Sequence, residues 1–112
     1  AHGMYSRYYI NYSITCNRVL TADNIFRQDA HDEVLQAVNN AARRDFEGQL
    51  SVDTIPDYSV IRISDNDIYF VYQPYEIASY ARGVVEIPVG IYELVDALSP
   101  LGRDALGVGK YD

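Results

Sequence analysis

The sequence YSVIRISDNDIYFVYQ spans residues 58–73 and predicts a β-hairpin. Two runs rich in β-branched and aromatic residues, 58–64 and 68–73, flank Asp65-Asn66-Asp67, and such runs favour strands. Asn and Asp tolerate the positive φ angles that tight hairpin turns need. We therefore expect an antiparallel strand pair at the centre of the fold.

A long helix is predicted before this hairpin, over residues 29–46. Acidic residues crowd its first turn and Arg43 and Arg44 lie near its end, which matches the helix dipole. Its apolar residues recur at helical spacing, and they are Val34, Leu35, Val38, Ala41 and Ala42. Such a stripe predicts a helix that packs onto a sheet.

The remaining elements surround this core. Residues 5–16 alternate and predict a long half-buried strand, whose buried face would hold Tyr8, Ile10, Tyr12, Ile14 and Cys16. Thr21 can cap a short helical turn, and a strand over 84–89 and a short helix over 92–98 follow. Because this order lacks βαβ alternation, the predicted fold class is α+β, with a mainly antiparallel sheet and one long helix packed across one face.

Composition and charge exclude several classes of function. The chain has 112 residues, enough for one domain, and a net charge of -7. This acidity disfavours nucleic acid and anionic membrane surfaces as partners and would attract a basic one. No apolar run approaches the ~18 residues of a membrane span. Cys16 is the only cysteine, so no internal disulfide can form.

Motifs for catalysis and metal binding are missing. His2 and His31 lie far apart in the sequence, whereas a zinc site needs several ligands at close spacing. Glu76, Glu86 and Glu93 could supply a glycosidase pair, but a chain with sixteen acidic residues allows many such pairs. We expect no metal, no cofactor and no catalysis by this chain alone.

A more specific pattern follows the hairpin. Residues 75–83, YEIASYARG, come after FVYQP at 70–74 and before VEIP at 85–88. This segment resembles the C-terminal extracytoplasmic domain of RsiV-type anti-sigma factors, which also occurs beside peptidoglycan deacetylases and in envelope lipoproteins. The resemblance covers residues 1–98, leaving 99–112 as a C-terminal extension. Ser79 and Arg82 depart from the family's pattern.

The resemblance implies an extracytoplasmic, non-catalytic binding or sensing domain of a bacterial cell-envelope protein. Its partner would be a protein, expected to be basic, or a cell-wall glycan such as a peptidoglycan fragment. The alternative is an accessory domain of a cell-wall hydrolase or polysaccharide deacetylase whose catalytic domain is absent from this chain.

Candidate binding residues lie in the same segment: Tyr75, Glu76, Tyr80 and Arg82. They could form a small aromatic and charged surface. Alternatively, both tyrosines fill the core while Glu76 accepts backbone N–H groups. The long first strand also predicts an exposed edge, through which two copies could form a homodimer.

Overall fold

A computed structural model of the chain describes residues 6–79 and 82–108. The strands and helices in chain order are β1 (Asn11–Ser13), β2 (Arg18–Leu20), α1 (Ala22–Ile25), α2 (His31–Phe46), β3 (Val60–Ile63), β4 (Asp67–Tyr72), β5 (Val85–Gly90) and α3 (Pro100–Leu106). Every strand pair is antiparallel, and the fold is α+β, as predicted.

The central sheet has three strands in the order β3-β4-β5. The predicted hairpin is confirmed: Ile63 pairs with Ile68, and the backbone N–H of Ser64 donates to the carbonyl of Asp67 at 2.9 Å to close the turn. Along β4, Ile68 and Phe70 are completely buried, while Tyr69 lies on the opposite face. The sheet thus has one face in the core and one face that can carry polar groups.

The long helix packs on the core face of this sheet, as expected. Helix α2 begins at His31 after a 3₁₀ turn over Gln28–Ala30. Val34 and Val38 are completely inaccessible to solvent and belong to the same core as Ile87 of β5. Burial of this apolar stripe against the sheet provides most of the stability of the helix.

The prediction for residues 5–16 is wrong in length and in the buried face. Strand β1 has three residues and pairs with β2 in a separate two-stranded hairpin. The side chains of Ile10 and Ile14 are 83% and 88% exposed, whereas Ser13 is buried; Cys16 is only partly buried. Alternation in a sequence distinguishes the two faces of a strand, but it does not show which face is buried. Here the polar face is held by hydrogen bonds to the rest of the protein.

The outer edge of β3 is covered by a side chain instead of a strand. In this register the backbone groups of Ile61 and Ile63 point away from β4. The Asn11 side-chain amide donates to the carbonyl of Ile61 at 2.9 Å and accepts from the N–H of Ile63 at 2.9 Å. The long exposed edge predicted for the first strand is therefore absent from residues 6–16, and the homodimer itself stays a prediction.

The C-terminal part differs from the predicted helix over 92–98. Two 3₁₀ turns, Ile91–Glu93 and Val95–Ala97, occupy that stretch. Helix α3 follows, and its backbone passes so close to α1 that a Cβ on Gly102 would lie 2.2 Å from the carbonyl oxygen of Ile25. Only glycine permits this contact, through which α3 joins the core.

Candidate functional site

A cleft of about 410 Å³ opens where β3 begins and β4 ends. Its lining combines aromatic rings with carboxylate and amide groups and includes Tyr8, Asp57, Tyr58, Tyr72, Gln73 and Glu76. We call it the tyrosine cleft. Its volume falls within the range of small-ligand sites.

Tyr72 joins two walls of the tyrosine cleft. Its ring is almost fully buried, and its hydroxyl donates to the backbone carbonyl of Asp57 at 2.7 Å. Burial raises the pKa of Tyr72, and the nearby carboxylates of Glu76 and Asp57 raise it further. The cleft therefore offers neutral hydroxyls within a region of negative potential.

Tyr58 is fixed between the helix layer and the core. Its ring stacks on that of His31 with centroids 4.9 Å apart and meets Phe70 edge-on at 5.5 Å. Burial, followed by the charges of Asp57 and Asp23, raises the pKa of Tyr58 to about 12. A ring held on two sides loses little further freedom when a ligand contacts it.

The loop that carries Asp57 and Tyr58 is held by a buried side chain of α2. The amide of Asn39 donates to the carbonyl of Ile55 at 3.1 Å and accepts from the N–H of Ile55 at 2.7 Å. Ile55 is 1% exposed and Asn39 is 8% exposed. These two hydrogen bonds to one backbone residue fix the position of the cleft wall relative to the helix.

The opposite wall comes from the N-terminal segment. The Gln73 side chain accepts from the N–H of Arg7 at 2.7 Å and donates to the carbonyl of Arg7 at 2.7 Å. Because Tyr8 follows directly, these bonds place its ring at the cleft. The Tyr8 side chain is 69% exposed and so is available to a ligand.

A charged cluster beside the cleft holds the same segment on the outer face of the sheet. Glu86, whose side chain is 15% exposed, accepts hydrogen bonds from Arg7, Arg62 and the Tyr9 hydroxyl. The Arg62 guanidinium lies 3.9 Å from the ring centre of Tyr69. Burial alone would raise the pKa of Glu86, but these hydrogen bonds outweigh it and lower the pKa. An ionised, fully bonded carboxylate is suited to structure and unsuited to general acid catalysis.

The structure describes three of the four residues predicted as a binding surface. Glu76 lines the tyrosine cleft, and Tyr75 precedes it at the turn, 63% exposed and with a φ of 77°. Tyr75 therefore does not fill the core. Arg82 lies with its guanidinium 5.3 Å from the ring centre of Phe46, at the end of α2. Tyr80 lies outside the described residues.

Sequence reasoning missed most of the cleft, namely Tyr8, Asp57, Tyr58 and Tyr72. These residues come from three separate stretches of the chain, so no local spacing connects them. The only available signal was the eleven tyrosines, and that excess does not say which of them face a common space.

Residues 6–79 and 82–108 contain neither a cluster of metal ligands nor a membrane-spanning helix. No group of three or more His, Cys, Asp or Glu side chains there could hold a metal ion. None of the helices in that part of the chain is long and apolar enough to cross a membrane.

Comparison with known proteins places this geometry in a family. No curated protein matches the sequence. A crystal structure of a DUF3298 family member from Bacteroides fragilis NCTC 9343 is similar, with a TM-score of 0.73 and 21% identity over 96% of this chain. This chain spans about half the length of that relative, 47%. The model of DUF3298, a protein family of unknown function, matches residues 23–92, and the chain therefore belongs to that family.

Proposed function

We propose that this chain is a non-catalytic binding domain of a bacterial cell-envelope protein, and that its ligand occupies the tyrosine cleft. The observation that carries the proposal is the cleft itself: three tyrosines, an amide and two carboxylates around a space of about 410 Å³. Aromatic walls with a few polar groups are typical of sites for small ligands. The resemblance of residues 75–83 to envelope domains supports an extracytoplasmic location.

The shape of the cleft favours a cell-wall glycan fragment over a flat protein surface. The exposed ring of Tyr8 can stack on the apolar face of a sugar, and hydroxyls of the cleft can bond its polar edge. The phenols of Tyr58 and Tyr72 are protonated at neutral pH, as ordinary phenols are, and burial raises the pKa of both further. The Tyr58 hydroxyl can therefore donate and accept hydrogen bonds, whereas the Tyr72 hydroxyl, which donates to the Asp57 carbonyl, can only accept one from a ligand.

The charge of the cleft restricts the ligand further. Its lining includes Asp57 and Glu76 and, within the described part of the chain, neither Lys nor Arg. A neutral or cationic ligand is favoured over an anionic one. A basic protein, of which lysozyme is the natural example, is the competing ligand, since the net charge of -7 would steer it towards this domain.

The accessory-domain alternative draws support from the length of the solved relative. In that protein the matching fold is accompanied by about as much chain again, since this chain covers 47% of it. A binding domain linked to a wall-modifying enzyme would use the same cleft to hold the glycan near the catalytic domain.

Surface plasmon resonance with the chain immobilised separates the ligands. Soluble peptidoglycan fragments and lysozyme are each passed over it at low and high salt. We expect the fragments to bind with little dependence on salt, because stacking and neutral hydrogen bonds dominate. Binding of lysozyme alone, lost at high salt, would replace the glycan by a basic protein.

Variants test the location of the site. Tyr8→Ala and Glu76→Gln change exposed side chains of the cleft and should weaken fragment binding about tenfold, a typical effect for an important contact residue. Tyr92→Ala is the control, because Tyr92 is 80% exposed and lies outside the cleft lining. If the two cleft variants bind like the control, the cleft is not the site.

A further inference from the structure

The outer face of the N-terminal segment carries a row of exposed apolar side chains. It consists of Tyr8, Ile10, Tyr12, Ile14 and Val19, of which the least exposed, Val19, is 45% accessible. We call this row the outer strip. Scattered apolar residues on a surface are ordinary, but a contiguous row on one face usually marks an interaction site.

Hydrogen bonds hold the segment that carries the outer strip in place. On the opposite face of the same segment, Asn11 is bonded to β3 and the Ser13 hydroxyl accepts from the N–H of Cys16 at 3.0 Å. Tyr12 and Val19 are direct neighbours across the β1-β2 pair. The Tyr12 hydroxyl donates to the side chain of Asn17. These bonds hold the β1-β2 pair in place, so that Tyr12 and Val19 project together on the face opposite Asn11.

A groove of about 430 Å³ lies beside the strip, between the β1-β2 hairpin and α3. Apolar residues contribute much of its lining, including Leu20, Ile63, Ala105 and Leu106. Ile10 and Ile14 also belong to the lining of this groove, so exposed isoleucines and an apolar groove occupy one surface. A two-fold dimer requires such self-complementarity, because the same patch is used by both copies.

The charge distribution favours a second copy of the chain at this surface. Residues 6–22 contain Arg7 and Arg18 and no Asp or Glu, although the whole chain has a net charge of -7. Two acidic molecules repel each other across most orientations. The outer strip is a surface on which they can approach without opposing carboxylates.

We propose that two copies of this chain associate through the outer strip, with Ile10 and Ile14 of each copy packed in the groove of the other. At roughly 100 Å² for each side chain, the five residues supply about 500 Å² per copy. The total of about 1,000 Å² lies at the lower limit of specific interfaces. The dimer is therefore weak, with a Kd of roughly 10–100 µM.

Sedimentation equilibrium across concentrations below and above this range tests the dimer. The double variant Ile10→Ser/Ile14→Ser should raise the Kd at least tenfold, and because both side chains are exposed its unfolding midpoint should stay unchanged. Tyr92→Ser removes an equally exposed aromatic outside the strip and should leave the Kd unchanged. Tyr8 belongs to both the strip and the tyrosine cleft, and the strip variant retains it. At concentrations below the Kd of the dimer, the variant should therefore bind peptidoglycan fragments as the original chain does.

A second measurement locates the contact. In ¹⁵N NMR spectra, the amide signals of residues 8–19 should shift with protein concentration, while those of residues 31–46 should not. A chain that stays monomeric throughout, or a dimer that Ile10→Ser/Ile14→Ser leaves intact, would overturn the proposal.

Discussion

Replacing Asn39 with alanine should lower the free energy of unfolding by about 2–5 kcal/mol, because both backbone groups of Ile55 lose their partner. The side chain makes one bond of 2.7 Å and one of 3.1 Å to that residue. An orphaned buried polar group costs about 1–3 kcal/mol, and Ile55 is 1% exposed, so water cannot readily replace the amide. The loss would be a large fraction of the 5–15 kcal/mol that stabilises a typical domain.

The assay is urea unfolding followed by circular dichroism, with Asn40→Ala as the control. Asn40 is the next residue of the same helix, but its side chain is exposed and only accepts a bond from Arg43. Its replacement should change the stability by no more than about 0.5 kcal/mol. Equal effects of the two replacements would refute the role assigned to Asn39.

Asn39→Asp separates lost hydrogen bonds from lost volume. Aspartate keeps the acceptor for Ile55 N–H but turns the donor into a second acceptor, which faces the carbonyls of Leu35 and Ile55. Burial and these carbonyls should raise the pKa of the new carboxyl group above its unfolded value. The stability of the variant relative to the original chain should therefore be greatest at acid pH and fall as pH rises through the folded pKa of the new carboxyl group. A variant whose stability does not depend on pH in this way would contradict the proposed geometry.

Three further outcomes follow from other contacts. Glu86→Gln should lower the stability at neutral pH by about 1–3 kcal/mol. Because the folded pKa of Glu86 is lowered, its contribution is present above the ordinary pKa of 4.5 and is lost at more acid pH. Acid should therefore destabilise the variant less than the original chain, and an unchanged dependence of unfolding on acid pH would count against the cluster. Gly102→Ala should destabilise the protein by about 1–3 kcal/mol despite the better helix propensity of alanine, because its Cβ would clash with the Ile25 carbonyl. If urea unfolding showed the variant to be more stable, α3 would not be packed this way. The pKa of Tyr58 is raised from 10.0 to about 12, so the free energy of unfolding should fall as pH rises between these values. Tyr58→Phe should reduce that fall when unfolding is measured at alkaline pH. The same fall in both proteins would exclude Tyr58 as its source.

Local patterns predicted the hairpin and the long helix because their signals lie within short windows. The turn Asp65-Asn66-Asp67 joins β3 to β4, and the apolar stripe of residues 29–46 is buried on the sheet. Helix α3 could also have been predicted from local residues, because Ser99 caps it, Pro100 begins it, and Gly107 ends it with a φ of 69°. These capping residues predict a short helix even though the segment has no clear apolar period.

The buried face of the N-terminal segment and the tyrosine cleft depend on contacts that no short window contains. Three side-chain amides bind backbone groups of distant residues, each as donor and acceptor together: Asn11 with Ile61 and Ile63, Asn39 with Ile55, and Gln73 with Arg7. A carboxamide is suited to this, because it offers the same donor and acceptor pair as a peptide group. These amides fix the irregular segments where a strand partner would otherwise be needed.

This arrangement explains why the two proposed binding surfaces could not be predicted from the sequence. Asn11 is bonded to β3 while Ile10 and Ile14 are exposed, against the expectation from hydrophobicity. Asn39 and Gln73 place the two walls of the tyrosine cleft. An asparagine such as Asn40, which is exposed on the same helix, has the same chemistry and no such role. Only the tertiary fold shows which amide meets a backbone group that lacks a partner.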